Sequence, residues 1–122
     1  PQVEESIAAL RASGDEAAAR LVEQQLASDW SEAAIGAEIA RAADWAARTG
    51  CPVMMNEFGV LAFCAGPADR AAWVRAVRRA AEKAGIGWTY WELDQGFGLI
   101  ADRSSTEGFD GAMLDALFGT GG

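Results

Sequence analysis

A 122-residue chain with 18 acidic against 10 basic side chains carries a formal net charge of -8, a field of the wrong sign for nucleic acid or an anionic membrane surface as partner. It contains no histidine, which removes Ser-His-Asp and Cys-His catalysis from these residues together with the commonest zinc ligand. No run of about 18 apolar residues marks a membrane span and no basic stretch leading into an apolar one marks a signal peptide; the chain opens on Pro1 and turns helical almost at once, so its start reads as cut and an N-terminal address as missing.

Residues 4–12 form a short helical pattern with Ile7 and Leu10 as its apolar pair, and Ser13-Gly14 breaks it. Asp15 is placed to cap a second helix over 16–27, in which the spacing of Ala18, Leu21, Val22, Gln25 and Leu26 is that of one apolar face. The strongest helix of the first half spans 31–49, with Ser31 as N-cap, Gly50 as stop, and Ile35, Ile39, Ala42, Ala43 and Ala46 at helical spacing. Trp45 lies near that stripe and is expected to be a core aromatic packed on a sheet. Trp30, just before the cap, is expected to staple the helix start, with a surface ligand contact as the alternative.

The stretch 51–59 (CPVMMNEFG) then runs apolar up to a single carboxylate, Glu57, and a Phe-Gly stop. Flanked by helices on both sides, it reads as a parallel strand covered on both faces. A strand of that kind needs no charge, and in parallel α/β folds ligands bind at the C-terminal strand ends. Glu57 is therefore the leading functional candidate. Cys51 and Cys64 would lie at opposite ends of this strand, roughly 20 Å apart at ~3.3 Å per residue, too far for a disulfide, so two free thiols are expected.

A loop over 60–66 is unusually apolar, with Leu61, Phe63 and Cys64. Pro67 fits the first turn of a helix running to about Ala84, with Trp73, Val77, Ala80 and Ala84 inward, and Arg70, Arg75, Arg78, Arg79, Glu82 and Lys83 expected mostly in solvent. Gly85 closes it, and 86–91 is a second strand. Period two puts Trp88 and Tyr90 on one face, under helices, and Gly87, Thr89 and Trp91 on the other. Small residues ending in one large aromatic suit the inside of a tapering barrel, where Trp91 would floor a pocket. Residues 92–103 (ELDQGFGLIADR) read as a long loop; its Gly-Phe-Gly triplet opens no helix and does not make a dinucleotide fingerprint. A last helix spans 110–118, using Met113, Leu114, Leu117 and Phe118.

The order helix, strand, helix, strand, helix is an α/β pattern with parallel strands, and two strands do not make a self-contained sheet of this type. PVMMNEFG, a loop, the helix ADRAAWVRAVRRAAEKAGI and then GWTYWELDQGFGL together resemble the seventh strand, seventh helix and eighth strand of glycoside hydrolase family 5, the cellulase family. The likeness runs from about residue 29 to the C-terminus. It implies the C-terminal part of a (β/α)8 TIM barrel, two parallel strands with flanking helices, the chain 1–122 being a partial catalytic domain from the sixth-helix region to the eighth helix whose N-terminal strands are absent. By the same resemblance Glu57 falls at the catalytic nucleophile, Trp91 at the aromatic beside the scissile bond, and Asn56 and Asp94 among the substrate contacts. The family's acid/base, a Glu in an Asn-Glu-Pro motif at the end of the fourth strand, has no counterpart here: Asn56-Glu57 is followed by Phe58.

What the resemblance implies for function is a retaining hydrolase of β-linked polysaccharide, endoglucanase-like, secreted or periplasmic, with neither metal nor organic cofactor. A retaining glycosidase needs one carboxylate to attack the anomeric carbon and a second, about 5 Å away, to protonate the leaving oxygen and then activate water. With that second group missing, the isolated chain is expected to be inactive and to self-associate through its exposed sheet edges. The competing reading is a non-catalytic fragment, or a small α/β carbohydrate-binding or interaction module in which Glu57 anchors a polar group.

Overall fold

The computed structural model describes residues 2–28, 30–105 and 108–119. The chain divides into two units, residues 1–30 and 31–122. The first is a pair of helices, α1 (Gln2–Ala12) and α2 (Glu16–Leu26). Asp15 caps α2 as the sequence indicates, its side chain accepting from the Ala18 amide, and Ile7 and Ala19 are the buried positions of the pair. Arg11 on α1 reaches Glu23 on α2 at 2.9 Å, an exposed ion pair of the kind that contributes about 0–1 kcal/mol. Trp30, which ends this unit, is exposed.

The second unit is built from α3 (Glu32–Thr49), β1 (Met54–Met55), α4 (Pro67–Lys83), β2 (Gly87–Trp88) and α5 (Gly111–Phe118). Ser31 caps α3 by accepting from the Ala34 amide, and Gly50 ends it at φ 69°, a left-handed conformation that favours glycine. Pro67 stands at the first turn of α4, where its missing N–H costs no helical bond. Asp110 caps α5, accepting from the Ala112 and Met113 amides. β1 and β2 pair in parallel, Met54 opposite Gly87 and Met55 opposite Trp88, connected through α4. The expected βαβ order is thus present, although the regular ladder is much shorter than the apolar runs suggest.

One face of the two strands carries the core. Phe58, Ala71, Val74, Val77, Leu99, Met113, Ala116 and Leu117 form a buried cluster, against which Met55, Trp88 and Tyr90 pack. Phe58 sits at its centre, edge-on to Trp88 at 5.8 Å and to Tyr90 at 5.6 Å, a geometry in which a positive ring edge meets a negative ring face. The other face is open: Met54 is 60% exposed, and Gly87, Thr89 and Trp91 are exposed beside it. The expectation of a strand covered on both faces is therefore corrected for the described residues, since helices pack on one side only. An apolar groove of about 250 Å³ also opens between α3, β1 and α4, lined by Ile39, Ala42, Val53, Met55, Ala81 and Ile86.

Three other expectations change. Trp45 is half-exposed, because α3 buries the stripe through Ile35 and Ile39 and Trp45 stands to one side of it, over a surface depression with Arg41 and Arg48. Phe118 is exposed and Ala116 takes the inward position, as the short α5 turns residues 113, 116 and 117 toward α4. The arginines of α4 do not mostly face solvent: Arg70 and Arg78 are 4% and 8% exposed. Arg78 donates to the Ala116 and Gly119 carbonyls, supplying partners to the C-terminal end of α5, and Arg75 pairs with Asp115 at 2.7 Å. Cys51 and Cys64 are free thiols, as their separation predicts.

Candidate active site

Beyond the short ladder the two strands stay in contact, and how they do so places Glu57. The Thr89 amide donates to the Met55 carbonyl, as a regular parallel register requires. Two residues on, the Trp91 amide reaches the Phe58 carbonyl at 2.9 Å, where an unbroken register would use Glu57. The segment 56–58 therefore holds one residue more than its partner, the arrangement of a bulge. Alternation breaks accordingly: Met55 and Phe58 both turn to the core, while Asn56 and Glu57 between them are both exposed. An extra residue thus puts two consecutive polar side chains outside the core without unburying the Phe that follows.

The two strand ends are clamped to each other. The Thr89 hydroxyl donates to the Asn56 carbonyl, so the Asn56 backbone is held from β2 while its side chain stays outside. Gly59 lies so close to the end of β2 that a Cβ there would sit 2.2 Å from the Trp91 carbonyl oxygen, a contact only glycine avoids. The Trp91–Glu92 peptide is cis. Glu57 and Trp91 accordingly leave adjacent strands at the same, C-terminal end, and both are exposed, Trp91 at 48%. Among the described residues no hydrogen bond or ion pair engages the Glu57 side chain.

Asp94 lies elsewhere in the same loop system. Its Oδ1 is 2.9 Å from Arg103 Nε, an ion pair without hydrogen-bond geometry, and Arg103 donates to the Asp94 carbonyl. Of the four candidates, then, the structure brings Asn56, Glu57 and Trp91 together at one strand end and places Asp94 in a surface ion pair. The loops above them carry Phe63 at 79% exposure and Leu93, and they are joined where the Ala62 amide donates to the Gly96 carbonyl.

One residue of this region is not singled out by the sequence reading. Arg70, buried under the loops, donates from Nε to the Val60 carbonyl, from Nη1 to Asp110 Oδ2, and from Nη2 to the Tyr90 hydroxyl and the Phe97 and Gly98 carbonyls, the last two at 2.6 and 2.7 Å. The Tyr90 hydroxyl donates in turn to Phe97. The signal was present in the spacing: Arg70 and Arg78 fall on the same stripe as Val74, Val77 and Ala81, so they belong to the inward face.

Among the described residues no cluster of three or more His, Cys, Asp or Glu side chains forms a metal site, and no helix is long and apolar enough to cross a membrane. The chemistry this end of the strands offers is that of an exposed carboxyl group and an exposed indole on the ends of adjacent strands of a parallel βαβ unit. A carboxylate serves there as nucleophile, general base or hydrogen-bond acceptor, and an indole face stacks on the apolar face of a pyranose.

A parallel βαβ unit with candidate residues at its C-terminal strand ends is the repeating unit of α/β barrels and of open α/β sheets. The sequence model of the cellulase family, glycosyl hydrolase family 5, matches residues 5–96, and the chain belongs to that family. A curated relative, Endoglucanase 3 of Fibrobacter succinogenes, is 34% identical over 83 residues, 68% of this chain and 13% of its own length. Among solved structures, a hyperthermophilic endo-beta-1,4-glucanase in complex with substrate superposes with a TM-score of 0.65 at 32% identity, over 73% of this chain and 28% of that one. Cel5A of Thermotoga maritima, solved with mannotriose, gives a TM-score of 0.66 at 26% identity, over 79% of this chain and 32% of that one. The chain thus spans a third or less of the relatives it matches, and its fold is a partial α/β piece of the endoglucanase barrel.

Proposed function

We propose that this chain supplies the nucleophile half of a retaining β-glycanase, with Glu57 attacking the anomeric carbon and Trp91 lying against the adjoining sugar. The observation that carries this reading is the bulge at 56–58: it turns Glu57 out of the core, level with Trp91, at the C-terminal end of two parallel strands of a family 5 glycosyl hydrolase. Asn56, presented beside Glu57, is a further candidate for a substrate hydroxyl, and so is Asp94, of which Oδ1 alone faces Arg103.

In the first step the Glu57 carboxylate bonds to the anomeric carbon while a second carboxylic acid gives its proton to the departing glycosidic oxygen. In the second, that group takes a proton from water, which displaces Glu57 with overall retention of configuration. No residue of the described site provides the second group, so it comes from strands that complete the barrel. The open face of Met54, Gly87, Thr89 and Trp91 and the apolar groove beside β1 support the same reading, for both are surfaces that further strands would cover. The substrate is a β-linked glucan or mannan, in keeping with a relative solved with cellobiose and with mannotriose, and a secreted or periplasmic location is part of the same proposal.

The test is Glu57→Gln in the barrel-length protein. Glutamine keeps the size and the hydrogen-bonding capacity but not the attacking charge, so turnover of soluble β-glucan is expected to fall by about 10³-fold or more with oligosaccharide binding largely kept. Activity within about tenfold of the parent removes Glu57 from this role.

A further inference from the structure

Arg70 links every segment that ends near the proposed site. Through Val60 it holds the loop that begins just after Glu57; through the Tyr90 hydroxyl it touches the residue before Trp91; through Phe97 and Gly98 it fixes the far end of the loop that Trp91 begins. Asp110 connects this cluster to α5, because one of its carboxylate oxygens caps the helix and the other accepts from Arg70. A guanidinium is the one side chain with five N–H donors in a rigid plane, and here all three of its nitrogens are used. A cation buried this deeply is stabilised by pairing at every nitrogen, so its position and that of its partners determine each other.

We propose that Arg70 is a positioning residue that sets the placement of the β1 and β2 loops relative to each other, and through them the distance and angle between Glu57 and Trp91. It touches neither. Its effect on turnover rests on the function proposed above, whereas its effect on the loops does not. Misplacing a reacting group by about 1 Å costs on the order of 10²-fold in rate, which is the scale of effect a loosened clamp would have.

The test compares Arg70→Lys with Tyr90→Phe in the barrel-length protein. Lysine keeps the charge, so the fold has its best chance of surviving, but a single ammonium cannot serve carbonyls on two loops and Asp110 together. Tyr90→Phe removes one hydroxyl of the cluster and keeps the ring against Phe58. For Arg70→Lys, kcat is expected to fall about 10- to 100-fold with KM within about threefold, well below the melting temperature. The Ala62, Leu99 and Ile100 amides, which close the two loops, are expected to exchange with solvent about tenfold faster or more, with the amides of α4 and α5 unchanged. Tyr90→Phe is expected to move the same quantities in the same direction, less far. A lowered melting temperature with kcat per folded molecule unchanged, exchange that rises equally in helices and loops, or loop amides that exchange no faster would each overturn the proposal. If Glu57→Gln keeps parental activity the proposed function fails, and the exchange of the loop amides still decides the role of Arg70.

Discussion

Glu57 is exposed because of its neighbours. In a strand of strict alternation, a residue between Met55 and Phe58 cannot leave the core face together with Asn56, and the extra residue before the Phe58–Trp91 bond is what allows it. At this scale Trp91 is the second testable residue. Its ring is not among the ring partners of Phe58, which among the described residues are Trp73, Trp88 and Tyr90. Trp91→Ala is therefore expected to weaken oligosaccharide binding by ~1 to 3 kcal/mol while moving the melting temperature less than Trp73→Ala does. Titration calorimetry and thermal unfolding of both variants read this directly; unfolding by Trp91→Ala with unchanged sugar affinity in the folded fraction would make Trp91 a core residue.

Among the elements, α4 organises the second unit. Its apolar stripe packs the core, and three of its arginines meet α5 at the cap, the middle and the C-terminal carbonyls. What was legible in the sequence follows from this division. Period and caps identified every helix, because Ser31, Asp15, Pro67 and Gly50 act through the adjacent backbone alone. The strand-end position of Glu57 was legible for a similar reason: a charge at the end of an apolar run is a local signal. The inward position of Arg70 and Arg78 was legible in their spacing with Val74, Val77 and Ala81, but the carbonyls that satisfy them lie 28 and 38 residues away in the chain, and composition alone assigns such residues to solvent. Trp45 was misplaced in the opposite sense, because an aromatic beside an apolar stripe is buried only when an element packs on that flank. Phe58 is where strand and helices meet, so Phe58→Ala is expected to destabilise the fold by about 3–5 kcal/mol, through lost burial and the cavity left between three aromatic rings. Denaturant unfolding checks this, and a change below about 1 kcal/mol would mean that the rings close over the space.

For the whole molecule, the described second unit is a sheet finished on one side only. Helices cover the face of Met55, Phe58, Trp88 and Tyr90, whereas Met54, Thr89 and Trp91 look outward. Two parallel strands with an open apolar face invite association, and the proposed reaction needs, besides Glu57, a second carboxylic acid to protonate the leaving oxygen. On the proposed function the two have one cause, since strands that cover the face would also bring the acid. The most direct measurement is hydrolysis of soluble β-glucan and β-mannan by residues 1–122 alone and by the same chain joined to the strands that complete the barrel, with association followed by light scattering. The expected result is no turnover and concentration-dependent association for 1–122, and turnover by a monomer once the barrel is complete. Clear turnover by monomeric 1–122 at constant specific activity would contradict the account.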